Sequence, residues 1–220
     1  MIELRQASKI YKSGGAVIRA VNDVTLSVGD GEFVAVVGHS GSGKTTLVSL
    51  MGGLTRPTDG MVRFAGVDIW TLDNRNLAAL RGRDIGFCFQ FSSLISTLNC
   101  LDNVRLPAGF GGGDGARALE LLGLVGVPDK ANAYPSELSG GQQRRVAIAR
   151  ALMNKPRLIL ADEPTGDLDE ETEADIMDLM VQLHKAGTTI VMVTHSRELA
   201  SRAGRLLTMT SGSVSEDGSK

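Results

Sequence analysis

Cysteine is nearly missing from this sequence: of 220 residues, only Cys88 and Cys100 carry thiols. They form no metal-spaced pair and no disulfide framework, which points to reduced thiols in a cytosolic setting. Long hydrophobic runs are missing as well. No apolar stretch approaches the roughly 18 residues that a membrane-spanning helix needs. The N-terminal "MIELRQASKIYKSGG" mixes charges without the apolar block of a secretory signal. Any membrane role is therefore expected to come through a separate chain. An excess of charge is also lacking. The net charge of −2 gives no global attraction to nucleic acid or anionic lipid, and no basic stripe is visible. Internal repeats are absent, and the only biased tract is the glycine cluster "GFGGGDG" (Gly109 to Gly115). Each glycine loses much entropy on ordering, so this cluster is expected to be a mobile loop. The small, polar C-terminus "SGSVSEDGSK" is expected to fray.

What is present is ordinary in bulk, with 42% apolar and 22% charged residues on a chain long enough to bury a core. Short apolar runs alternate with helical patterns, which predicts an α/β fold. "EFVAVVG" (Glu32 to Gly38), "RLILADE" (Arg157 to Glu163) and "TTIVMVTH" (Thr188 to His195) read as buried parallel strands. "TTLVSLMGGL", "GQQRRVAIARALM" and "ETEADIMDLMVQLHKAG" read as flanking helices, the last closed by Gly187. The early "IELRQASKIY" and "IRAVNDVTLSVGDGE" alternate like strands and predict an antiparallel sheet laid against the core. The stretch from about Asp73 to Pro135 reads as a mostly helical insertion.

"GHSGSGKTT" carries the first chemical signal. Gly38, His39, Ser40, Gly41, Ser42, Gly43, Lys44 and Thr45 fit G-x-x-x-x-G-K-[ST] and follow a predicted strand, with Thr46 next in the helix. The glycines let successive N–H groups converge on phosphate oxygens. Lys44 would reach the β- and γ-phosphates, and the Thr45 hydroxyl would ligate Mg²⁺. The strand "LILADEP" delivers Asp162 to the same edge, where a carboxylate can hold the metal's water shell. Its neighbour Glu163 points elsewhere and is free to act as general base. His195 ends a third strand there and could contact the γ-phosphate or orient Glu163. Gln90, closing "IGFCFQ", could touch metal or water, and the Tyr11 ring could stack on adenine. A second glycine-led helix start, "LSGGQQRRVAIARAL" (Leu138 to Leu152), also suits an oxyanion. One small chain thus carries two such helix starts.

Together these residues resemble the nucleotide-binding subunit of an ATP-binding cassette (ABC) transporter. The ordered set spans essentially the whole chain: Tyr11, the phosphate loop, Gln90, the signature Leu138-Ser139-Gly140-Gly141-Gln142, the strand Leu158–Glu163, Leu168-Asp169 and His195. The resemblance implies a P-loop NTPase core with an N-terminal antiparallel β subdomain and a helical insertion. It places the core at about residues 1–90 and 136–220 of one 220-residue domain, and the helical part at about 91–135. It implies ATP and Mg²⁺ as cofactors, with Thr45, Gln90 and Asp162 at the metal and Glu163, His195, Lys44 and Gln90 in catalysis. It also implies a head-to-tail homodimer in which Ser139, Gly140, Gly141 and Gln142 of one subunit cap the γ-phosphate held by the other, with Asp169 among the nucleotide-binding residues. A separate integral membrane permease would be driven from the cytoplasmic face, with no nucleic-acid partner.

"GGLTRPTDG", "YPSELSGGQQRRVAIARAL" and "ADEPTGDLD" are most similar to the lipoprotein-release and macrolide-export ATPases; antimicrobial-peptide resistance and cell-division ATPases share much of the pattern. Two features depart from relatives. The link from Pro107 to Ala116 is short and glycine-rich where a longer charged helix is usual, in the part that receives the permease. Asp167 stands where many relatives have asparagine, adding negative charge near the expected dimer interface. The acidic run "DLDEETEADIMD" reads mostly as a helix start with a solvated face, and Cys88 as a small buried hydrophobe. A soluble ABC ATPase acting on nucleic acid or the ribosome is the alternative, but such relatives carry coiled-coil insertions or tandem cassettes. A non-hydrolysing regulatory module is disfavoured by Glu163 and His195.

Overall fold

A computed structural model describes residues 1–14, 16–111 and 114–216. In chain order it begins with β1 (Ile2–Ser13), β2 (Ala16–Val28), β3 (Phe33–Val37), α1 (Lys44–Met51), β4 (Asp59–Phe64) and β5 (Val67–Asp68). Then come α2 (Asn74–Asp84), β6 (Ile85–Cys88), α3 (Cys100–Arg105), α4 (Ala108–Gly111), α5 (Ala118–Leu124) and α6 (Gly140–Ala151). The last part holds β7 (Leu158–Asp162), α7 (Glu170–Lys185), β8 (Thr189–Thr194), α8 (Arg197–Ala200), β9 (Arg205–Thr210) and β10 (Ser213–Glu216).

The strands form two sheets. One is antiparallel with order β2-β1-β4-β5, and the other runs β10-β9-β3-β8-β7-β6. In the second, β9, β3, β8, β7 and β6 are parallel, and only β10 at the edge is antiparallel. The expected α/β layering is thus present, with the antiparallel sheet laid on the mixed one. Every residue of β3, β7 and β8 is buried, which is why these strands read as unbroken apolar runs.

Alternation within the strands divides the interior. Val34, Val36, Leu158, Leu160, Val191 and Val193 face α1 and the antiparallel sheet. Phe33, Ala35, Val37, Ile159, Ala161, Ile190 and Met192 face the helices on the other side. Each fully buried side chain of this size contributes about 1.5–3 kcal/mol. The helix α7 follows its pattern: Ile176, Met177, Leu179, Met180 and Leu183 are buried, and Gly187 follows the helix with φ of 97°. Its first turn carries Glu170, Glu171 and Glu173, favourable at a positive dipole end.

Three features go beyond the expectations. Within the mostly helical stretch 73–135, β6 pairs with β7 from Ile85 opposite Leu158. The helix α2 runs straight into that strand, with Ile85 already extended at φ −123° and ψ 121°. Second, β4 and β5 were not anticipated. The glycine cluster is the third. Gly109 and Gly111 lie in α4, and Gly115 opens a short 3-10 turn; Gly112 and Gly113 lie outside the described residues, as does the end of the C-terminal segment expected to fray. Glycine here permits close packing. Asn154 donates from Nδ2 to Gly82 O at 2.6 Å and to Pro107 O at 2.8 Å. A Cβ on Gly111 would sit 2.1 Å from that nitrogen and 2.5 Å from Gly82 O. Gly111→Ala is therefore expected to destabilise the chain by about 1–3 kcal/mol, as overpacking does. A fall in the urea midpoint at constant m-value measures it, and a wild-type midpoint would show that α4 is not packed on α2.

Candidate active site

The loop from Gly38 to Gly43 joins the C-terminal end of β3 to the start of α1. Most helix starts in this chain are capped by a side chain: Asp73, Asn99, Ser139, Asp169 and Ser196 each accept from a first-turn N–H. The start of α1 is different. Its N-cap is Gly43, which has no side chain to offer, and its first turn holds no acid. The first N–H groups of α1 are left to an outside acceptor, with the helix dipole behind them. Only glycine fits at position 43, where φ is 109° and a Cβ would fall 1.9 Å from Ala20 O. At Gly38 a Cβ would fall 2.4 Å from Met209 O, so the loop is wedged between the end of β9 and β2.

The cavity over this helix start, about 420 Å³, is lined by Ser40, Gly41, Gly43, Lys44, Thr45 and Thr46. Tyr11, Gln90, Asp162, Glu163 and His195 complete it. Of the remaining loop residues, His39 is exposed, while Ser42 is buried with its Oγ unpartnered. Tyr11 is 40% exposed, with Lys9 Nζ 5.3 Å from its ring centroid. Gln90 is exposed and lies beside Gly166, at which a Cβ would sit 3.5 Å from the Gln90 side chain.

Charge inside the cavity is shared around Lys44. Its buried ammonium donates to Gly38 O at 2.7 Å and to His39 O at 3.2 Å. It lies 3.6 Å from Glu163 Oε1. The other carboxylate oxygen, Oε2, accepts from the His195 backbone N–H at 3.2 Å and lies 3.0 Å from His195 Nδ1. Lys44 and His195 thus hold the two oxygens of Glu163, and the contact places His195 where it can orient this carboxylate. The Glu163 backbone adopts φ of 47°, a left-handed conformation that a non-glycine residue takes at a cost of about 1–3 kcal/mol. Such strain is held where surrounding structure demands it. Here β8 does so, with the Glu163 N–H donating to Val193 O at 2.9 Å.

Asp162 is buried, and that desolvation raises its pKa above the usual aspartate value. A hydrogen bond with Thr45 opposes the shift, the Glu163 charge adds to it, and the Lys44 charge opposes it. Its Oδ1 has no partner. A buried carboxylate oxygen without a donor, beside a threonine hydroxyl, suits a hydrated divalent cation. Among the described residues no cluster of His, Cys, Asp and Glu could cage a metal alone. An ion held by Asp162, Thr45 and Gln90 would therefore take its other oxygens from phosphate and water, as Mg²⁺ does.

The other candidate residues form a separate group. Ser139 and Gly140 are exposed at the start of α6, where Ser139 N–H donates to Gln142 Oε1 at 3.0 Å and Gln142 N–H to Ser139 Oγ at 3.2 Å. Gly141 packs on α7, since a Cβ there would meet Thr172 Cγ2 at 2.6 Å. Thr172 is in turn bound by Asp169, which accepts its N–H at 2.9 Å and its hydroxyl at 2.8 Å. Those bonds, the backbone one first, lower the Asp169 pKa. None of Ser139, Gly140, Gly141, Gln142 or Asp169 lines the cavity over α1. Asp167, exposed with φ of 65°, sits in the left-handed conformation that aspartate and asparagine tolerate better than most residues. Cys88 and Cys100 are free and buried, and burial raises both thiol pKa values.

Sequence reasoning missed Ala20, whose carbonyl fixes Gly43, and the arginines of α6. Arg144 is 4% exposed and donates to both Phe89 O and Gln90 O. A cation at a position that a helix turns inward is the signal that could have found it.

Comparison with known proteins agrees with this arrangement. A family model described as ABC transporter matches residues 21–166. The chain is 44% identical over 221 residues to the macrolide export ATP-binding/permease protein MacB of Rhodospirillum rubrum, covering 99% of this chain and 34% of that protein. It is 45% identical over 222 residues to MacB of Nitrosomonas europaea, again covering 99% of this chain and 34% of that protein. It spans about a third of the length of these relatives. Among solved structures, the ATP-binding cassette MJ0796, a dimer bound to ADP and Pi in a post-hydrolysis state, superposes with a TM-score of 0.92 at 40% identity, covering 100% of both chains.

Buried Asp162 holds its proton more tightly in the folded chain than in the unfolded one. Its ionisation therefore costs stability that grows as pH rises from the ordinary aspartate value through the raised one. Asp162→Asn is expected to raise the melting temperature of the free chain at pH 7. The gain should shrink as pH is lowered. The same variant should lose the extra stabilisation that Mg-ATP gives over ATP with EDTA. Melting curves under these conditions decide; an Asp162→Asn chain that still responds to Mg²⁺ would remove Asp162 from the metal.

Proposed function

This chain belongs to the ABC transporter family, and on that footing we propose that it is an ATP-hydrolysing subunit that closes on ATP as a head-to-tail pair to drive a membrane permease. One observation carries this reading: the open start of α1 and the exposed start of α6 lie on one chain in separate groups of residues. A second copy can bring its Ser139, Gly140, Gly141 and Gln142 to a nucleotide held over α1, with Asp169 beside them. The dimeric state of MJ0796 supports the pairing of two copies.

In this mechanism the phosphates bind to the N–H groups of the Gly38–Thr46 segment, and Lys44 exchanges its carbonyl partners for β- and γ-phosphate oxygens. Tyr11 offers its ring to the adenine. Asp162, Thr45 and Gln90 would hold Mg²⁺, which would supply charge neutralisation on the phosphates. Glu163 accepts the proton of a water that attacks the γ-phosphorus as the bond to the β-phosphate oxygen breaks, giving ADP and phosphate. His195 keeps that carboxylate aimed through the 3.0 Å contact at Nδ1. Catalysis is thus positioning and charge stabilisation.

The division into a core of about residues 1–90 and 136–220 and a helical part of about 91–135 belongs to this proposal. So does the permease. A groove walled by Ile85, Phe87, Phe89, Leu106 and Phe110, with Arg81 and Arg150 at its edges, supports docking of a short amphipathic helix from the permease. Phe91 and Phe110 are 75% and 73% exposed. Among the described residues no helix is long and apolar enough to cross a membrane. In the proposed assembly the chain sits at the cytoplasmic face on its permease. The similarity to MacB favours macrolide or peptide export or lipoprotein release as the work done, and disfavours a nucleic-acid ATPase.

Glu163→Gln removes the proton acceptor and keeps the shape. It is expected to run as a dimer on a sizing column in saturating Mg-ATP, with phosphate release lowered by about 10²–10⁴-fold, the usual contribution of a general base. A variant that remains monomeric under those conditions contradicts the proposal.

A further inference from the structure

Tyr11 stands near the open end of the β1–β2 hairpin, opposite Ile18 across the strands. Its surroundings hold it weakly. Ile18 and Val17 are 54% and 61% exposed, and among the described residues no other ring packs on Tyr11 and no hydrogen bond reaches its hydroxyl. A half-exposed ring that turns freely is a poor stacking platform, because a ligand must also supply the free energy of ordering it.

One contact restrains the ring. Lys9, two residues earlier, places its Nζ 5.3 Å from the Tyr11 ring centroid, within cation–π range. Tyr11 lines the cavity over α1 and Lys9 does not, so the ammonium backs the ring from outside the cavity. Among the described residues no carboxylate pairs with Lys9. Its other partner is a carbonyl: Nζ donates to Arg56 O at 2.8 Å. That carbonyl lies in the turn leaving α1 and is itself well anchored. The Leu54 and Thr55 N–H groups donate to Ser49 O at 2.9 and 3.2 Å, and the Thr58 N–H donates to Ser8 O at 2.7 Å. Thr58 Oγ1 accepts from the Ile10 N–H at 3.0 Å, and the Arg56 guanidinium lies 6.0 Å from the Trp70 ring. The first turn of α1 faces the phosphate end of the cavity, and its last turn leads to Arg56. Lys9 therefore joins the rigid frame of the phosphate helix to the exposed aromatic ring.

We infer that Lys9 is a positioning residue for base recognition, holding the Tyr11 ring at a set distance from the start of α1 so that a purine base and its phosphates meet both at once. The inference rests on the reading of Tyr11 as the adenine platform and adds the group that holds this platform in place. Lys9 acts through the ring and does not touch the nucleotide. Its charge matters because the ammonium is drawn to the negative face of the ring, which an apolar side chain of equal length cannot reproduce.

The test is calorimetric titration of Mg-ADP, which needs neither hydrolysis nor a second copy, into wild type, Lys9→Met, Lys9→Arg, Tyr11→Ala and the chain with both Lys9→Met and Tyr11→Ala. Tyr11→Ala is expected to weaken binding by about tenfold, as removal of a base–aromatic stack does. Lys9→Met should weaken it by about two- to fivefold, the range of an exposed cation–π contact, and Lys9→Arg should recover most of the loss. In the double variant Lys9→Met should add nothing, because its effect passes through the ring. Should Lys9→Met not fold, Lys9→Gln, which keeps a donor for Arg56 O, takes its place. A Lys9→Met chain that binds Mg-ADP like wild type overturns the inference. So does one that loses as much affinity in the Tyr11→Ala background as without it, since Lys9 would then serve only the turn at Arg56. A Tyr11→Ala chain with wild-type affinity sinks the adenine reading of Tyr11 itself, and the inference with it.

Discussion

The open first turn of α1 is the constraint on which the rest of this structure depends. A helix that begins at a left-handed glycine cannot satisfy its own leading N–H groups through a cap. Its position is fixed by contacts that tolerate no side chain: Gly43 lies against Ala20 O and Gly38 against Met209 O. Both sheets therefore meet at this loop, β2 from one and β9 from the other. The parallel strands β7 and β8 then deliver Asp162, Glu163 and His195 to the same edge. Their acids would repel a phosphate were Lys44 not between them. Lys44 and His195 hold the Glu163 oxygens, and Thr45 bonds Asp162 while leaving its Oδ1 open, so the carboxylates sit among neighbours that also suit nucleotide and metal.

The start of α6 is built on the opposite principle. Ser139 and Gln142 satisfy each other, and Gly141 lets the helix sit on Thr172 of α7. This end is stable alone and still exposes Ser139 and Gly140. A half-site of this kind can be presented to another chain without first being unfolded. Under the proposed head-to-tail pairing, such a division accounts for both helix starts on one polypeptide without mutual contact within it.

Much of this was legible in the sequence, for identifiable reasons. The strands β3, β7 and β8 are buried on both faces, so their composition announces them, and G-x-x-x-x-G-K-T names its own geometry. By contrast, β4 is held by pairing with β1 and β5 by pairing with β4, and they carry Asp59, Arg63 and Asp68, which blur any apolar signal. The reading of the glycine cluster used glycine's entropy and missed its other property, the absence of a Cβ where Asn154 and Gly82 crowd Gly111. Similarly, the left-handed Glu163 and the buried Arg144 are set by tertiary partners far away in sequence. No local pattern encodes them.

The central claim is that the nucleotide over α1 of one subunit is covered by the α6 start of a second. Cysteines placed at Ser40 and Ser139, through Ser40→Cys and Ser139→Cys, measure this directly, because native Cys88 and Cys100 are buried and do not compete. Under mild oxidation the doubly substituted chain is expected to form a covalent dimer in Mg-ATP and to stay monomeric without nucleotide, as read on a non-reducing gel. Dimers that form without nucleotide, or an ATP-dependent dimer in which these positions never cross-link, would contradict the account.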